Sequence, residues 1–452
     1  MTTQTVKKLA AKDLPMNQIL QHAENLWTNG ADAEGTHPWR ALGTFEKIRD
    51  GVWFASSFAN LTLIDGGTEL LVVDPGAKNN EERKFKQIID AFPDTPVSTI
   101  VYTHGHHDHC FGADRYKVHA KENKLLEPII IGHRALDYRF DRYAKTTGYN
   151  EVINGRQFLG GAATISWEAE YVRPDLYVDN YKKIRVGNIE ASITHSRGET
   201  DDSLWLHIPE YEALCTGDLF IWTTPNAGNP QKVQRYCGEW AVALEEMQAK
   251  SASVLLPGHG PPIIGKDRVE EALDSTRRYL KSLETQTLQL MNLGASLDEV
   301  LTKVRPPEEL SKKHFLQPVY DEPEFIVRNI WRLYGGWYDG QASNLKPPRE
   351  ESIAHEIVDL LTGGTKTLVE RAQTLSESGQ WRLACKLADW AHHAAPGDTD
   401  IKLFRGQLYQ ARADQETSTM TIGIYNSVAR EMGIEMKDQN TFSAQEKKAN
   451  ET

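Results

Sequence analysis

Cysteine is scarce in this chain: Cys110, Cys215, Cys237 and Cys385 are the only four, scattered and without a CxxC pair. That argues against a disulfide framework and leaves small, reduced, mostly buried thiols as the expectation. A basic surplus is missing too. Lysine and arginine total 51 against 63 acidic residues, a formal net charge of -12, so a phosphate backbone is not the expected partner. No apolar run reaches bilayer length, and the opening MTTQTVKKLAAKDLPMNQILQHAENLW has no signal-peptide core before its first acid. These absences lead to the expectation of a mature, soluble, cytoplasmic protein with no membrane span. What is present is an ordinary globular balance, 40% hydrophobic and 25% charged over 452 residues, enough for two or three domains.

Between about Trp53 and Gly265, short β-rich runs alternate with amphipathic stretches. NLTLIDGGTELLVVDPG (Asn60–Gly76) sets two apolar runs around an Asp-Gly-Gly turn, a hairpin signal. NEERKFKQIIDAF spaces Phe85, Ile88, Ile89 and Phe92 as on one helix face. VSTIVYT (Val97–Thr103) reads as a buried strand, and more strands are expected in KKIRVGNIEASITHS, SLWLHIP, EALCTGDLF and ASVLLPG. The alternation indicates a layered α/β domain, placed at 46–266 behind an extension of residues 1–45.

Beyond Lys266 the strand signal stops. A long helix is expected from about Asp267 to Leu293, then helices in SLDEVLTKV and EPEFIVRNIWRLYGGWY. TKTLVERAQTLSESGQWRLACKLADWAHHAAPGD resembles a tetratricopeptide hairpin, with Ala372, Leu375, Gly379, Trp381, Ala384, Ala388 and Pro396 at its packing positions. A solenoid needs about three such units. Fewer than two are visible, so this hairpin is expected to be a packing module in an all-α region spanning 267–435. The polar tail 436–452 is expected to be disordered.

THGHHDH (Thr103–His109) carries four of the chain's 15 histidines at the end of the expected strand Val97–Thr103. His104 and His106 flank a glycine and can reach one ion from an extended loop. Asp108 and His109, at the turn into a helix, can point to a second; imidazole with carboxylate suits zinc or a similar borderline metal. Capping the helix is the other role open to Asp108. Three later residues also sit at expected strand ends: Glu199 in HSRGETDDSLW, Asp218 in LCTGDLF and His259 in LLPGHGPP. Each alone could be a turn residue. Their order after HxHxDH points to a metal site. His107 is expected to face away from the ligands, His195 and Cys110 to pack, and Trp222 and Trp240 to belong to the core.

HxHxDH, a ligand at a glycine turn, the aspartate of GDLF and the histidine of PGHG together resemble the metallo-β-lactamase superfamily. Asp74 in VVDPG matches the acidic residue that superfamily carries at a strand end, and it also fits a plain Asp-Pro-Gly turn. Where most members place a histidine, this chain has Arg197-Gly198-Glu199-Thr200. A glutamate there resembles the alkylsulfatase branch, and YGGWYDGQASNLKP (Tyr334–Pro347) resembles that branch's dimerisation-domain signature. The resemblance runs from about Trp53 to Ala413. It implies an αββα metallo-β-lactamase sandwich followed by a helical dimerisation domain, with no counterpart of the branch's C-terminal sterol-carrier-like domain.

The same resemblance implies two zinc ions, with iron or manganese as other divalent options. His104, His106 and Glu199 would hold one, Asp108, His109 and His259 the other, and Asp218 would bridge. It implies hydrolysis of a small-molecule ester, foremost a sulfate ester, by a metal-bridged hydroxide that two cations make available near neutral pH. Asp108 and Asp218 then have catalytic roles, and the chain is expected to form a homodimer. The branch sets an asparagine and then an arginine over the sulfate. Here Asn226 is kept, but Gln231 stands at the arginine's place and offers no guanidinium fork. Lys232 or Arg235 is the alternative cation, and Asn226, Gln231 and Lys232 are the candidate substrate contacts. Two other readings stay open. One keeps the fold but cleaves another ester, a lactone, a thioester or a phosphoester, or runs iron-dependent redox chemistry. The other is a non-enzymatic helical interaction protein with a vestigial metal site, against which the intact ligand series speaks.

Overall fold

The structure, a computed structural model, describes residues 17–30, 37–77 and 82–435, so the tail at 436–452 lies outside the described residues. Among the described residues, thirteen strands form two sheets. The first sheet runs in chain order: β1 (Phe45–Arg49), β2 (Val52–Ala55), β3 (Leu61–Asp65), β4 (Leu70–Val73), β5 (Val97–Val101), β6 (Ile129–His133) and β7 (Leu176–Val178). The second contains β8 (Tyr181–Val186), β9 (Ile189–His195), β10 (Leu204–Ile208), β11 (Ala213–Gly217), β12 (Val254–Pro257) and β13 (Ile263–Ile264). The hairpin expected at Asn60–Gly76 is β3 paired antiparallel with β4, and β4, β5 and β6 are parallel neighbours.

Side-chain alternation sorts the strands' residues into layers. On β10, Leu204, Leu206 and Ile208 join a cluster with Phe54, Leu71 and Val101 of the first sheet, while Trp205 faces the other way. The cluster between the sheets is one core layer. A second lies where Ile100 and Leu63 meet Ile88, Tyr116 and Phe140 from helices outside the first sheet. The third forms where Trp205, Leu214 and Leu255 meet the helices Cys237–Gln248 and Lys266–Asn292. Helix, sheet, sheet, helix is the αββα sandwich.

The long helix Lys266–Asn292 bridges to an all-helical half. Its tetratricopeptide-like hairpin consists of helices Gly364–Glu377 and Trp381–Ala394, with Ala372, Leu375, Ala384 and Ala388 buried. Small residues at those positions let the two helices approach closely. The helix Pro323–Gly335 is shorter than its sequence pattern suggests. It stops before Trp337 because Gly336 takes φ 78°, and the aromatics beyond it lie exposed. The helix Thr419–Glu431 folds back onto the helix Thr147–Leu159 of the sandwich. There Gly423 has no room for a side chain, since a Cβ would stand 2.1 Å from the Gln157 carbonyl. Among the described residues no helix is long and apolar enough to cross a membrane, and all four cysteines are buried and free.

Candidate metal centre

Strands β4, β5, β9, β11 and β12 all deliver their carboxyl ends to one edge of the sandwich. Backbone bonds lock that edge: Leu204 N–H donates to Thr103 O at 2.6 Å and Gly258 N–H to Gly217 O at 2.9 Å. β5 is buried throughout, and the chain leaves it at Thr103 through Asp74. The Thr103 N–H and hydroxyl donate to the two Asp74 oxygens, each at 2.7 Å. Asp74 itself sits at φ 57°, a left-handed turn position that its hydrogen bonds hold in place. Gly105 separates two histidines because nothing larger fits, as a Cβ would lie 2.7 Å from Arg139 Cδ and 2.9 Å from Asp202 Oδ2. Its N–H donates to that same Asp202 oxygen at 2.8 Å. The helical turn His107–Cys110 then projects Asp108 and His109 inward.

Seven side chains converge as two donor groups: His104, His106, Glu199 and Asp218 in one, Asp108, His109 and His259 in the other. Within each group the ligand atoms lie within 4.8 Å of one another. Asp218 stands between them, with Oδ2 3.6 Å from His104 Nε2 and 3.4 Å from His259 Nε2, and Oδ1 3.4 Å from His109 Nε2. Asp108 Oδ2 is 3.6 Å from both His109 Nε2 and His259 Nε2.

The hydrogen bonds behind these groups fix which ring nitrogen faces inward. His109 Nδ1–H donates to Asp74 Oδ2 at 2.8 Å. Because the Thr103 hydroxyl already donates to Asp74, it accepts from His104 Nδ1 at 3.0 Å. His259 Nδ1–H donates to the Phe58 carbonyl, under the ring of Trp39 stacked 4.4 Å away. Each Nε2 is thus left with a lone pair toward the centre, the arrangement a ligating imidazole needs.

Several inward atoms call for a cation. Among the described residues, His109 Nε2, Glu199 Oε2 and Asp218 Oδ1 are buried with no hydrogen-bond partner. His104 Nε2 and His106 Nδ1, two ring nitrogens, face each other at 2.8 Å. Burial opposes a charge on His109, yet Asp218, Asp108 and Asp74 outweigh it and lift the imidazole to about 10. Burial pushes His104 and His106 well below the usual histidine range, helped by neighbouring imidazoles. Burial also raises Glu199 to about 8 against the pull of Arg235. With protons as the only cations, the carboxylates draw positive charge onto an imidazole. Divalent ions satisfy the same field and leave every donor deprotonated. The donor set of imidazole and carboxylate therefore fits the ions that the resemblance implies.

Above the centre lies a cavity of about 460 Å³, lined by aromatic and aliphatic side chains that include Trp39, Phe58, Phe158, Trp167 and Tyr320. All three candidate substrate contacts reach its wall, but with different commitments. Asn226 donates its amide to Glu199 Oε1. Gln231 accepts from Arg156 at 2.9 Å and donates to Ile153 O at 3.3 Å, so both ends of its amide are engaged. Arg235 is tied to Glu199 through Nη1, 2.6 Å from Oε1 and 2.9 Å from the Asn226 carbonyl, while its Nε has no hydrogen-bond partner among the described residues. Lys232 differs. Its partners are Asn154 Oδ1 at 2.5 Å and the Trp167 ring 5.4 Å away, and neither carries charge.

His107 belongs to neither donor group and stacks on Trp167 at 3.8 Å. His195 stacks on His133 at 3.7 Å, Cys110 is buried, and Trp222 and Trp240 pack in the core. Sequence reasoning missed Asp202 and Arg139, which brace Gly105, although the acidic pair directly after Glu199-Thr200 was a usable signal. It also missed Trp39 and Tyr320, which come from outside the strand-end motifs and carry no local signature.

Comparison with known proteins adds to this geometry. Residues 57–259 match the metallo-beta-lactamase superfamily model, and residues 296–434 match the alkyl sulfatase dimerisation model. A linear primary-alkylsulfatase of a Pseudomonas sp. is 26% identical over 76% of this chain and 67% of its own length. An (R)-specific secondary-alkylsulfatase of a Pseudomonas sp. is 23% identical over 83% of this chain and 60% of its own. An alkyl/aryl-sulfatase of Saccharomyces cerevisiae is 23% identical, covering 82% and 61%. The chain thus spans 60% to 67% of the length of these curated relatives. In fold it is similar to the solved sec-alkylsulfatase Pisa1 of a Pseudomonas sp., with a TM-score of 0.76 at 21% identity over 88% of this chain and 67% of that one.

Proposed function

For a chain that belongs to the metallo-beta-lactamase superfamily and carries an alkyl sulfatase dimerisation domain, we propose hydrolysis of a sulfate ester at a centre of two zinc ions. His104, His106 and Glu199 would hold one ion, Asp108, His109 and His259 the other, with Asp218 shared. The observation that carries this reading is the position of Asp218 between two groups of inward-facing imidazole and carboxylate donors at the floor of a largely apolar cavity. When bound, the ions supply a water ionised near neutral pH and stabilise negative charge on the ester oxygens.

The chain's own residues set what enters. The aromatic walls take the alcohol portion and keep bulk water away. Lys232 offers the charge that the relatives' names suggest for an anionic ester. Burial, with Arg235 nearby, lowers it to about 7, and no acid partners it among its described contacts. Arg235 also lines the cavity but holds Glu199 through Nη1, and Gln231 is neutral. The helical half pairs two copies, and its exposed Tyr334, Trp337 and Leu345 offer apolar surface for doing so. Light scattering of the purified protein at micromolar concentration checks the dimer.

A hydrolysis screen tests the reaction, using sulfate, phosphate, carboxylate and lactone esters with zinc-loaded protein. The expected result is sulfate release that a chelator abolishes. Cleavage of a neutral ester or lactone with every sulfate untouched would reassign the reaction on the same fold. Lys232→Met is expected to raise KM for a sulfate ester about tenfold while leaving a neutral ester's KM within about twofold.

A further inference from the structure

The stretch between Thr223 and Tyr236 contains no helix or strand, so its backbone groups need partners from elsewhere. Several of those partners come from the helical half, while Tyr236 N–H donates to Gly198 O on the sandwich side. Gln317 O accepts from Thr224 N–H at 3.0 Å and Leu316 O accepts the Thr224 hydroxyl at 2.8 Å. Asp321, fully buried, accepts from Gly228 N–H at 2.6 Å and Asn229 N–H at 3.1 Å on one oxygen, and from Glu322 N–H at 2.8 Å on the other. Asn329 donates its amide to Ala227 O at 2.8 Å and to Arg235 O at 3.0 Å, while its own carbonyl accepts from Gln234 at 3.0 Å. Gly228 is pressed so closely that a Cβ there would lie 2.5 Å from the Phe325 carbonyl carbon.

The inward side of the same loop makes one contact with the centre. Asn226 and Arg235 both donate to Glu199 Oε1, and Glu199 Oε2 is left without a hydrogen-bond partner. One oxygen is anchored and the other is aimed. A loop free to shift would let the carboxylate rotate, and the anchor would lose its direction. The Arg235 backbone that Asn329 holds is one side chain away from Glu199.

We propose that Asn329 and Asp321 are positioning residues for Glu199, so that the helical half completes the donor group containing His104 and His106. This rests on the reading of Glu199 as a metal ligand. The other group, Asp108, His109 and His259, has no such hydrogen-bonded link: its hydrogen bonds go to Asp74 and Phe58, and the helical half reaches it only by ring packing, Tyr320 on Trp39 and Trp39 on His259.

Zinc titration of the metal-free full chain by calorimetry, with a thermal melt of each metal-free variant alongside, tests the proposal. Asn329→Asp keeps the shape and removes the two donated bonds. Asp321→Asn replaces one acceptor oxygen by a donor, and it stands in if the first variant does not fold. The wild type is expected to bind two zinc ions. Either variant is expected to bind one of them about 10- to 100-fold more weakly and the other within about twofold. Equal weakening of both ions in step with a lower melting temperature would overturn the proposal, since that is what a merely structural role gives. Unchanged binding of both would overturn it as well. A wild type that takes up no zinc would overturn the ligand assignment, and the proposal with it.

Discussion

The imidazoles and the glutamate of the centre are supported by networks of opposite polarity. On the sandwich side, Asp74 and Thr103 are acceptors: they take Nδ1–H from His109 and His104 and turn each Nε2 inward. On the loop side, Arg235 and Asn226 are donors, and they hold Oε1 of Glu199. The difference follows from the side chains being held. A neutral imidazole needs its remaining proton accepted, whereas a carboxylate needs its spare oxygen donated to. A buried carboxylate also needs a counter-charge, which a guanidinium supplies and a backbone carbonyl cannot. Replacing histidine by glutamate at this turn therefore requires a second supporting structure. That structure is the loop held by the helical half.

The sharpest way to break the comparison is to remove the carboxylate that stands between the two donor groups. Asp218 lies within 3.6 Å of His104, His109 and His259, so no rearrangement of either support compensates for its loss. Asp218→Ala is expected to lower kcat at least about 1000-fold, several kcal/mol of transition-state stabilisation. Bound zinc should fall below two ions per chain. Elemental analysis beside kinetics checks both, and a variant that keeps two tightly bound ions would mean the carboxylate is not shared.

How much of this was legible without coordinates depends on whether the determinants are contiguous. THGHHDH announces itself because four imidazoles follow one apolar strand, and Asp218 and His259 because each closes a β-rich run. The short strands were harder: β7 has three residues and β1, FEKIR, is more charged than apolar, so neither carries a clean alternation. The question left at Gln231, which nearby cation replaces an arginine, could not be answered from spacing. Arg235 and Lys232 are three positions apart in an irregular loop and both line the cavity, and only the backbone path decides that one bonds Glu199 and the other Asn154. Asn329 and Tyr320 had no signal at all, because they act across an interface between halves far apart in sequence.

Next in size is the loop-side support. Arg235→Met strips the counter-charge from a carboxylate that burial already raises to about 8. Above about pH 8, where Glu199 is charged, breaking one side of this buried ion pair costs about 3–5 kcal/mol. The metal-free variant is therefore expected to unfold at clearly lower denaturant than the metal-free wild type. Added zinc is expected to stabilise the variant less than the wild type, because the ion that Glu199 would hold binds the variant more weakly. If zinc stabilises both proteins equally, Glu199 does not meet the metal and the loop side is only packing.

The smallest effect expected is on the sandwich side, with Asp74→Asn. The amide keeps the size of the carboxylate and one acceptor oxygen, so Thr103 stays tethered, but His109 loses a charged acceptor. Its Nδ1–H is held less firmly and the Nε2 lone pair becomes less basic. Weakening of about 10-fold is expected for the ion near His109, with a smaller change for the ion near His104, which feels Asp74 only through the Thr103 hydroxyl. Arg235→Met should show the reverse preference in the same titration. Opposite preferences would mean that each ion answers to its own support. If the two variants instead weaken the same ion, the two supports act as one network, and their different polarity reflects local bonding alone.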